Sequence, residues 1–216
     1  MQTIKTRLAL AALALLPALS QAAPEEFSIE PGHTYPSFET SHMGLSFWRG
    51  KFNKSSGKIW LDRAAKTGKL DITIDVTSVN FGLPMMDTVA KGNHFFDVEK
   101  YPTATYRSDS ITFEGDVPVA VNGQLTLLGI TKPVPLKIVH FKCTMHPMFK
   151  REICGADAHA EFDRRDFGMT RDIVPTDPNV RLSIAVEALR GAELPPMPTP
   201  EMLLKMQSAP DAAPSH

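Results

Sequence analysis

The chain is short of the residue patterns that most catalytic chemistry needs. It has two cysteines, Cys143 and Cys154, eleven positions apart, which is not the Cys-x-x-Cys spacing of a redox or zinc pair. No Gly-x-Ser-x-Gly elbow occurs, so hydrolase chemistry has no local support. His33, His42, His94, His140, His146 and His159 include no His-x-x-x-His or His-x-His pair, and no metal site is expected from them. Glycines are not gathered into a phosphate-binding loop; Gly44, Gly50 and Gly57 are expected at strand ends, where turns need them. Charge of one sign never accumulates, because 23 Lys and Arg face 24 Asp and Glu spread along the chain. That balance argues against a nucleic-acid partner.

A long apolar run is missing as well. Leu8 to Leu19 is apolar, but about a dozen residues fall short of the roughly 20 that cross a bilayer. With Lys5 and Arg7 before it and Ser20-Gln21-Ala22 after it, the stretch reads as a secretory signal peptide over residues 1–22, cut after Ala22. The expected location is the periplasm. No cysteine follows the cut, so a lipid-anchored lipoprotein is not indicated. Removing 22 of 216 residues leaves 194, a length suited to one all-β domain. In an oxidising compartment, Cys143 and Cys154 are expected to form a disulfide across the turn Met145–Lys150. The competing metal or redox reading is weakened by their spacing.

What the chain does have is alternation. Leu70, Ile72, Ile74 and Val76 share one face, while Lys69, Asp71, Thr73 and Asp75 share the other. Val180, Leu182, Ile184, Val186 and Ala188 repeat the pattern, and Val119, Val121, Leu125 and Leu127 do so less cleanly. Further strand-like runs lie at Thr34–His42, Phe47–Asn53, Lys58–Asp62, Thr103–Phe113, Val134–Cys143 and Cys154–Asp163. Short strands at regular spacing without long helical periods indicate an all-β sandwich or up-and-down barrel. Pro84–Asn93 breaks the pattern, and Met85, Met86, Val89 and Ala90 predict a short helix over one barrel end. Residues 192–216 are rich in proline and are expected to form a disordered tail outside the barrel domain of residues 23–191, with one amphipathic turn at Met202, Leu203 and Met206 as the alternative.

In the strand after Cys154, one face reads Ala156, Ala158, Ala160 and Phe162. Two readings stay open at this point. The alanines accommodate a bulky neighbour such as Trp48 or Trp60, or they leave room in the lumen.

Several stretches in order resemble the YceI-like family of periplasmic polyisoprenoid-binding proteins. They are Ile29-Glu-Pro-Gly-His33-Thr, His42-Met43-Gly44, Trp48-Arg49-Gly50-Lys51-Phe52, the run Phe95 to Tyr106, Gly123-Gln-Leu-Thr-Leu, Gly129 to Pro133, Cys154 to Asp157 and Asp166 to Met169. The likeness spans Phe27 to Ala188. It implies an extended antiparallel lipocalin-like eight-stranded β-barrel, with a short helix capping one end and a lipid in its lumen. Lumen contacts carried over by the resemblance are Phe38, His42, Trp48, Phe52, Ile72, Ile74 and Val76, with Phe81, Met86 and Phe96 closing near the helix. It also favours a true cavity at Ala156, Ala158 and Phe162. The chain departs from the family at Pro36, which suggests an edge or bulge, at Thr40, and at Val89 and Lys91 of the helix.

The expected function is a non-catalytic carrier of a polyisoprenoid or other long-chain apolar molecule, a quinone or fatty-acid-like lipid included, with no other cofactor. A homodimer fits the resemblance. One alternative is an enzyme using the same cavity, for which His42 and Asp97 are the acid–base candidates; another is a quinone-holding accessory of a membrane cytochrome.

Overall fold

The computed structural model describes residues 23–172, 175–196 and 199–208; the predicted signal peptide lies outside them. Its strands fall into consecutive runs, several broken in the middle. β1 (Glu25–Ile29) and β2 (Tyr35–His42) make the first run, and β3 (Ser46–Phe52) and β4 (Ser55–Asp62) the second. β5 (Thr67–Asp75) and β6 (Val79–Asn80) make the third, followed by helix α1 (Pro84–Lys91). β7 (Thr103–Ser108) with β8 (Ile111–Glu114), β9 (Val117–Val121) with β10 (Gln124–Leu127), and β11 (Ile130–Pro133) with β12 (Leu136–Met145) are the next three. β13 (Glu152–Asp163) and β14 (Thr176–Arg190) complete the sheet, and helix α2 (Pro200–Ser208) follows.

Each run is hydrogen-bonded antiparallel to the next. β14 pairs back to β1 and β2. The curled sheet therefore returns to its own first strand as an eight-run barrel, in which β6, β8 and β11 are each paired on one side only. Because neighbouring runs point in opposite directions, α1, the β2–β3 turn and the link from β13 to β14 share one end. The β12–β13 turn shares the other end with the start of β1.

The breaks have local causes. Between β1 and β2, the Glu30 carboxylate accepts from the backbone N–H of Gly32 at 2.9 Å and of His33 at 2.8 Å. Thr34 then returns the chain to β14 by bonding the backbone of Glu187 in both directions. Pro36 sits just after this break, and the β2–β3 register begins at Ser37. It lies opposite Ile184 in the β2–β14 register, and on the β3 side it stands where that ladder has ended. Between β5 and β6, Asp75 accepts from Thr77 N–H and caps a single 3-10 turn at Val76–Ser78.

Two expectations, both of glycines, are corrected. Gly50 and Gly57 lie inside β3 and β4, not at strand ends. A Cβ at Gly50 would come within 2.6 Å of the Phe38 ring, and Gly57, at φ +140, lets Asp71 O approach to 2.2 Å of where a Cβ would stand. The tail carries α2, although its proline content predicts disorder. Thr199 Oγ1 accepts from Met202 N–H, and Pro200 takes the first position, where a proline loses no helical bond. Glu201 and Lys205 pair one turn apart. Residues 209–216 lie outside the described part.

Cys143 and Cys154 stand directly opposite in the β12–β13 register and are joined by a disulfide, with Cα atoms 4.0 Å apart. The turn between them is held by His146, whose Nδ1 accepts from the N–H groups of Met148 and Phe149 at 3.2 Å. Outside the barrel, polar side chains cross-link neighbouring strands, as in Arg107 to Asp71 and Lys58 to Glu26. The Lys58 ammonium holds the Glu26 carboxyl below the usual range. No described helix is long and apolar enough to cross a membrane.

Candidate functional site

Alternation along each strand gives the barrel an apolar inner face. β5 sends Leu70, Ile72 and Ile74 inward, and β14 sends Val180, Leu182, Ile184, Val186 and Ala188. β12 keeps its period through Val134, Leu136 and Ile138, the first of these just before its start. A bulge then leaves Val139 exposed at 52 % and returns Phe141 to the interior. These faces surround a cavity of about 260 Å³. That is slender beside the usual range of roughly 300–1,000 Å³ for ligand pockets.

The small faces make the space. Ala156 and Ala158 line the cavity opposite Val186 and Ile184 of β14, and Phe162 lines it nearer the α1 end. Ala160 belongs to the same face by period but is not part of the wall. Of the two tryptophans, Trp60 lies on the outer surface, donating from Nε1 to Glu26 at 3.1 Å beneath the Lys69 ammonium. It does not fill the space over the alanines, whereas Trp48 is part of the wall.

Of the residues named as ligand contacts, Phe38, Trp48, Phe52, Ile72, Ile74, Phe81, Met86, Phe96, Ala156, Ala158 and Phe162 line the cavity. His42 and Val76 do not. His42 is the last residue of β2, beyond the lumen, and stacks on Trp48 with ring centroids 4.7 Å apart. Val76 starts the 3-10 turn after β5, so alternation no longer governs it; it is buried in the packed core at 1 % exposure.

The two ends differ. Leu61, Ile111, Pro118, Cys154 and Ala188, toward the disulfide end, are all buried wall residues. At the other end Val89 of α1 lines the cavity while 46 % exposed to solvent. The cavity is thus blind below and thinly covered above. Beneath α1, Phe38, Phe52, Phe81 and Phe96 form a ring cluster with centroids 5.3–5.9 Å apart, and such edge contacts fix ring orientation.

Polar groups in the wall are few. Thr34 and Thr40 donate to the carbonyls of Glu187 and Asp177. Tyr106 donates to Val134 O at 2.8 Å, and burial pushes its phenol well above the usual range. Ser55 and Arg164 are wall residues, and their buried Oγ and Nε atoms have no hydrogen-bond partner. Ser55, Tyr106 and Arg164 escape the sequence reading, as does the lumenal role of β14, although its alternation was legible. Arg164 is hidden because Asp-Arg-Arg-Asp reads as a solvated run.

Among the described residues, no hydrogen bond or ion pair joins His42 to Asp97, so the geometry assembles no acid–base pair there. Glu30, His33 and Glu187 come within metal-ligand reach of one another. The Glu30 oxygens, however, already accept from the backbone and from His33 Nδ1 at 2.6 Å. The arrangement can enclose a slender apolar chain.

The pattern that defines the YceI-like domain matches residues 27–188. A UPF0312 protein of Shewanella denitrificans is 31 % identical over 182 residues, covering 84 % of this chain and 95 % of that protein. Among solved structures, a Campylobacter jejuni YceI protein superposes with a TM-score of 0.60 at 25 % identity, covering 71 % of this chain and 90 % of that one. A polyisoprenoid-binding domain from Saccharophagus degradans gives 0.56 at 14 % identity, covering 76 % and 98 %, and shares the fold. With this barrel, this inner face and these relatives, the chain belongs to the YceI-like family.

Proposed function

We propose that the protein is a periplasmic, non-catalytic carrier that holds a polyisoprenoid or another long-chain apolar molecule, quinones included, in the barrel lumen. The observation that carries this reading is the slender apolar cavity, blind toward the disulfide and thinly covered by α1. The wall residues Val180 to Ala188 of β14 cover roughly 27 Å along the strand at about 3.4 Å per residue. A chain threaded there meets almost nothing but hydrocarbon and aromatic rings. Each methylene transferred from water contributes about 0.8 kcal/mol, so ten buried carbons supply roughly 8 kcal/mol before ordering costs. The fold shared with the polyisoprenoid-binding domain of Saccharophagus degradans supports the same class of ligand.

The test is mass spectrometry of organic extracts from protein purified natively, without detergent. A long-chain isoprenoid or lipid approaching one per barrel is expected. Empty extracts, together with no binding by added chains of any length, would overturn the carrier reading.

A further inference from the structure

Arg164 is an anomaly in this barrel. Only 4 % exposed, it is a wall residue of an otherwise apolar cavity. Its Nη atoms donate to three carbonyls, Met169 O at 3.3 Å, Arg171 O at 2.7 Å and Thr176 O at 3.3 Å. All three are neutral. Asp163, the acid next to it in sequence, is taken by Arg165, and no carboxylate among the described residues pairs with Arg164. Its Nε has no partner. The carbonyls explain how Arg164 ties down the link between β13 and β14, and a purely structural role would end there. They leave a buried guanidinium with no close ion pair and one donor unused, Asp172, Asp163 and Asp177 acting on it only from beyond pairing distance, a state that folded proteins rarely tolerate without a partner.

We infer that Arg164 receives the oxygen-bearing head of the lumen's ligand. The ligand is then an amphiphile, a chain ending in a phosphate, carboxylate, carbonyl or hydroxyl oxygen. Its head lies at the α1 end and its tail runs toward the Cys143–Cys154 disulfide. A guanidinium whose Nη atoms are already anchored cannot swing away, so Nε is presented at a fixed place. The blind end is wholly apolar and suits the tail; Arg164 lies just past the end of β13, at the thinly covered end. This inference rests on the carrier reading and adds polarity and direction to it.

The test compares three probes of one chain length: geranylgeranyl phosphate, geranylgeraniol and the C20 isoprenoid hydrocarbon without oxygen. Each competes with a fluorescent lipid in the full-length mature protein. The phosphate should bind at least roughly tenfold more tightly than the hydrocarbon, as a charge-assisted hydrogen bond predicts, and the alcohol should fall between them. In Arg164→Met the three affinities should converge while that of the hydrocarbon changes less than about twofold. Inorganic phosphate should not compete; competition by it as strong as by the lipid phosphate would reassign Arg164 to a free anion and overturn the inference. Equal affinities in the wild-type protein, or full discrimination in a folded Arg164→Met, would also overturn it and leave the carrier intact. Failure of all three probes to bind would overturn the carrier reading and this inference with it. If Arg164→Met does not fold, photo-crosslinking of the wild-type protein decides. A diazirine on the head should label peptides spanning 164–176, and one on the tail should label peptides around Ile111 or Cys154. The reverse pattern would refute the orientation.

Discussion

Filling the lumen at Ala158 should separate binding from folding. Ala158 is 5 % exposed, lines the cavity and faces Ile184 across the β13–β14 register. Its replacement by Phe puts a ring where a ligand chain would lie, instead of where protein atoms already pack. A benzyl group displaces roughly four methylenes of a threaded chain, and at about 0.8 kcal/mol each the loss is about 3 kcal/mol, a factor of roughly 200 in affinity. Overpacking a filled core would instead cost about 1–3 kcal/mol of stability. Displacement of a fluorescent fatty acid measures the first effect, and thermal unfolding without ligand measures the second. The expected result is a large loss of affinity with little change in apo stability. Affinity in the parent protein should also rise with chain length until the cavity ends. Unchanged affinity in a folded Ala158→Phe protein would refute this placement of the ligand.

Ile74, buried at 8 %, should not tolerate Asp, because the new carboxylate would sit unpaired in the apolar wall; Thr73→Asp, on the opposite face of β5, should change stability by less than about 1 kcal/mol, with urea unfolding as the measure. Replacing Cys143 and Cys154 together by Ser should lower stability by about 3 kcal/mol, the chain-entropy value for a bridge spanning eleven positions, and intact mass with and without reduction checks the bond in the parent protein. Gly123→Ala should cost about 2 kcal/mol by thermal unfolding, because a Cβ there would lie 2.3 Å from the Tyr106 ring, whose hydroxyl is tied to Val134 O and cannot yield freely.

Much of the lumen was legible because it depends on period. Ile72 and Ile74, or Ala156 and Ala158, need only a strand and a wet outer face to be placed inside. Errors fall where the period stops: His42 and Val76 share parity with wall residues, but each stands at or past the last residue of its strand. The bulge at Val139 is invisible for the same reason, since nothing in the local sequence marks the extra residue. β1 and β11 were missed because Glu25-Glu26 and Thr131-Lys132 look like solvated linkers; their place in the sheet comes from partners far along the chain. Arg164 is the clearest case. Burial of a cation depends on three carbonyls between Met169 and Thr176, and no pattern of residue types announces that. For α2, the spacing of Met202, Leu203 and Met206 suggests one amphipathic turn that the proline content outweighs, although Thr199-Pro200 is a start signal that a positional reading would have used.

Closure of the barrel has a consequence for how the protein comes into being. The last strand, β14, is the seam that joins β13 to β1 and β2, and contacts from it and from the residue just after it reach partners 153 and 163 positions earlier, Thr34 with Glu187 and Ser28 with Gly191. Until residue 190 has been synthesised, the preceding strands can form only an open trough with two raw edges and a greasy floor, the kind of surface that pairs with other chains. A product truncated before β14 would therefore be an aggregating sheet and not a smaller barrel. For the same reason the chain has no enclosed space while it is being made, and the ligand of the proposed carrier could enter only a finished molecule.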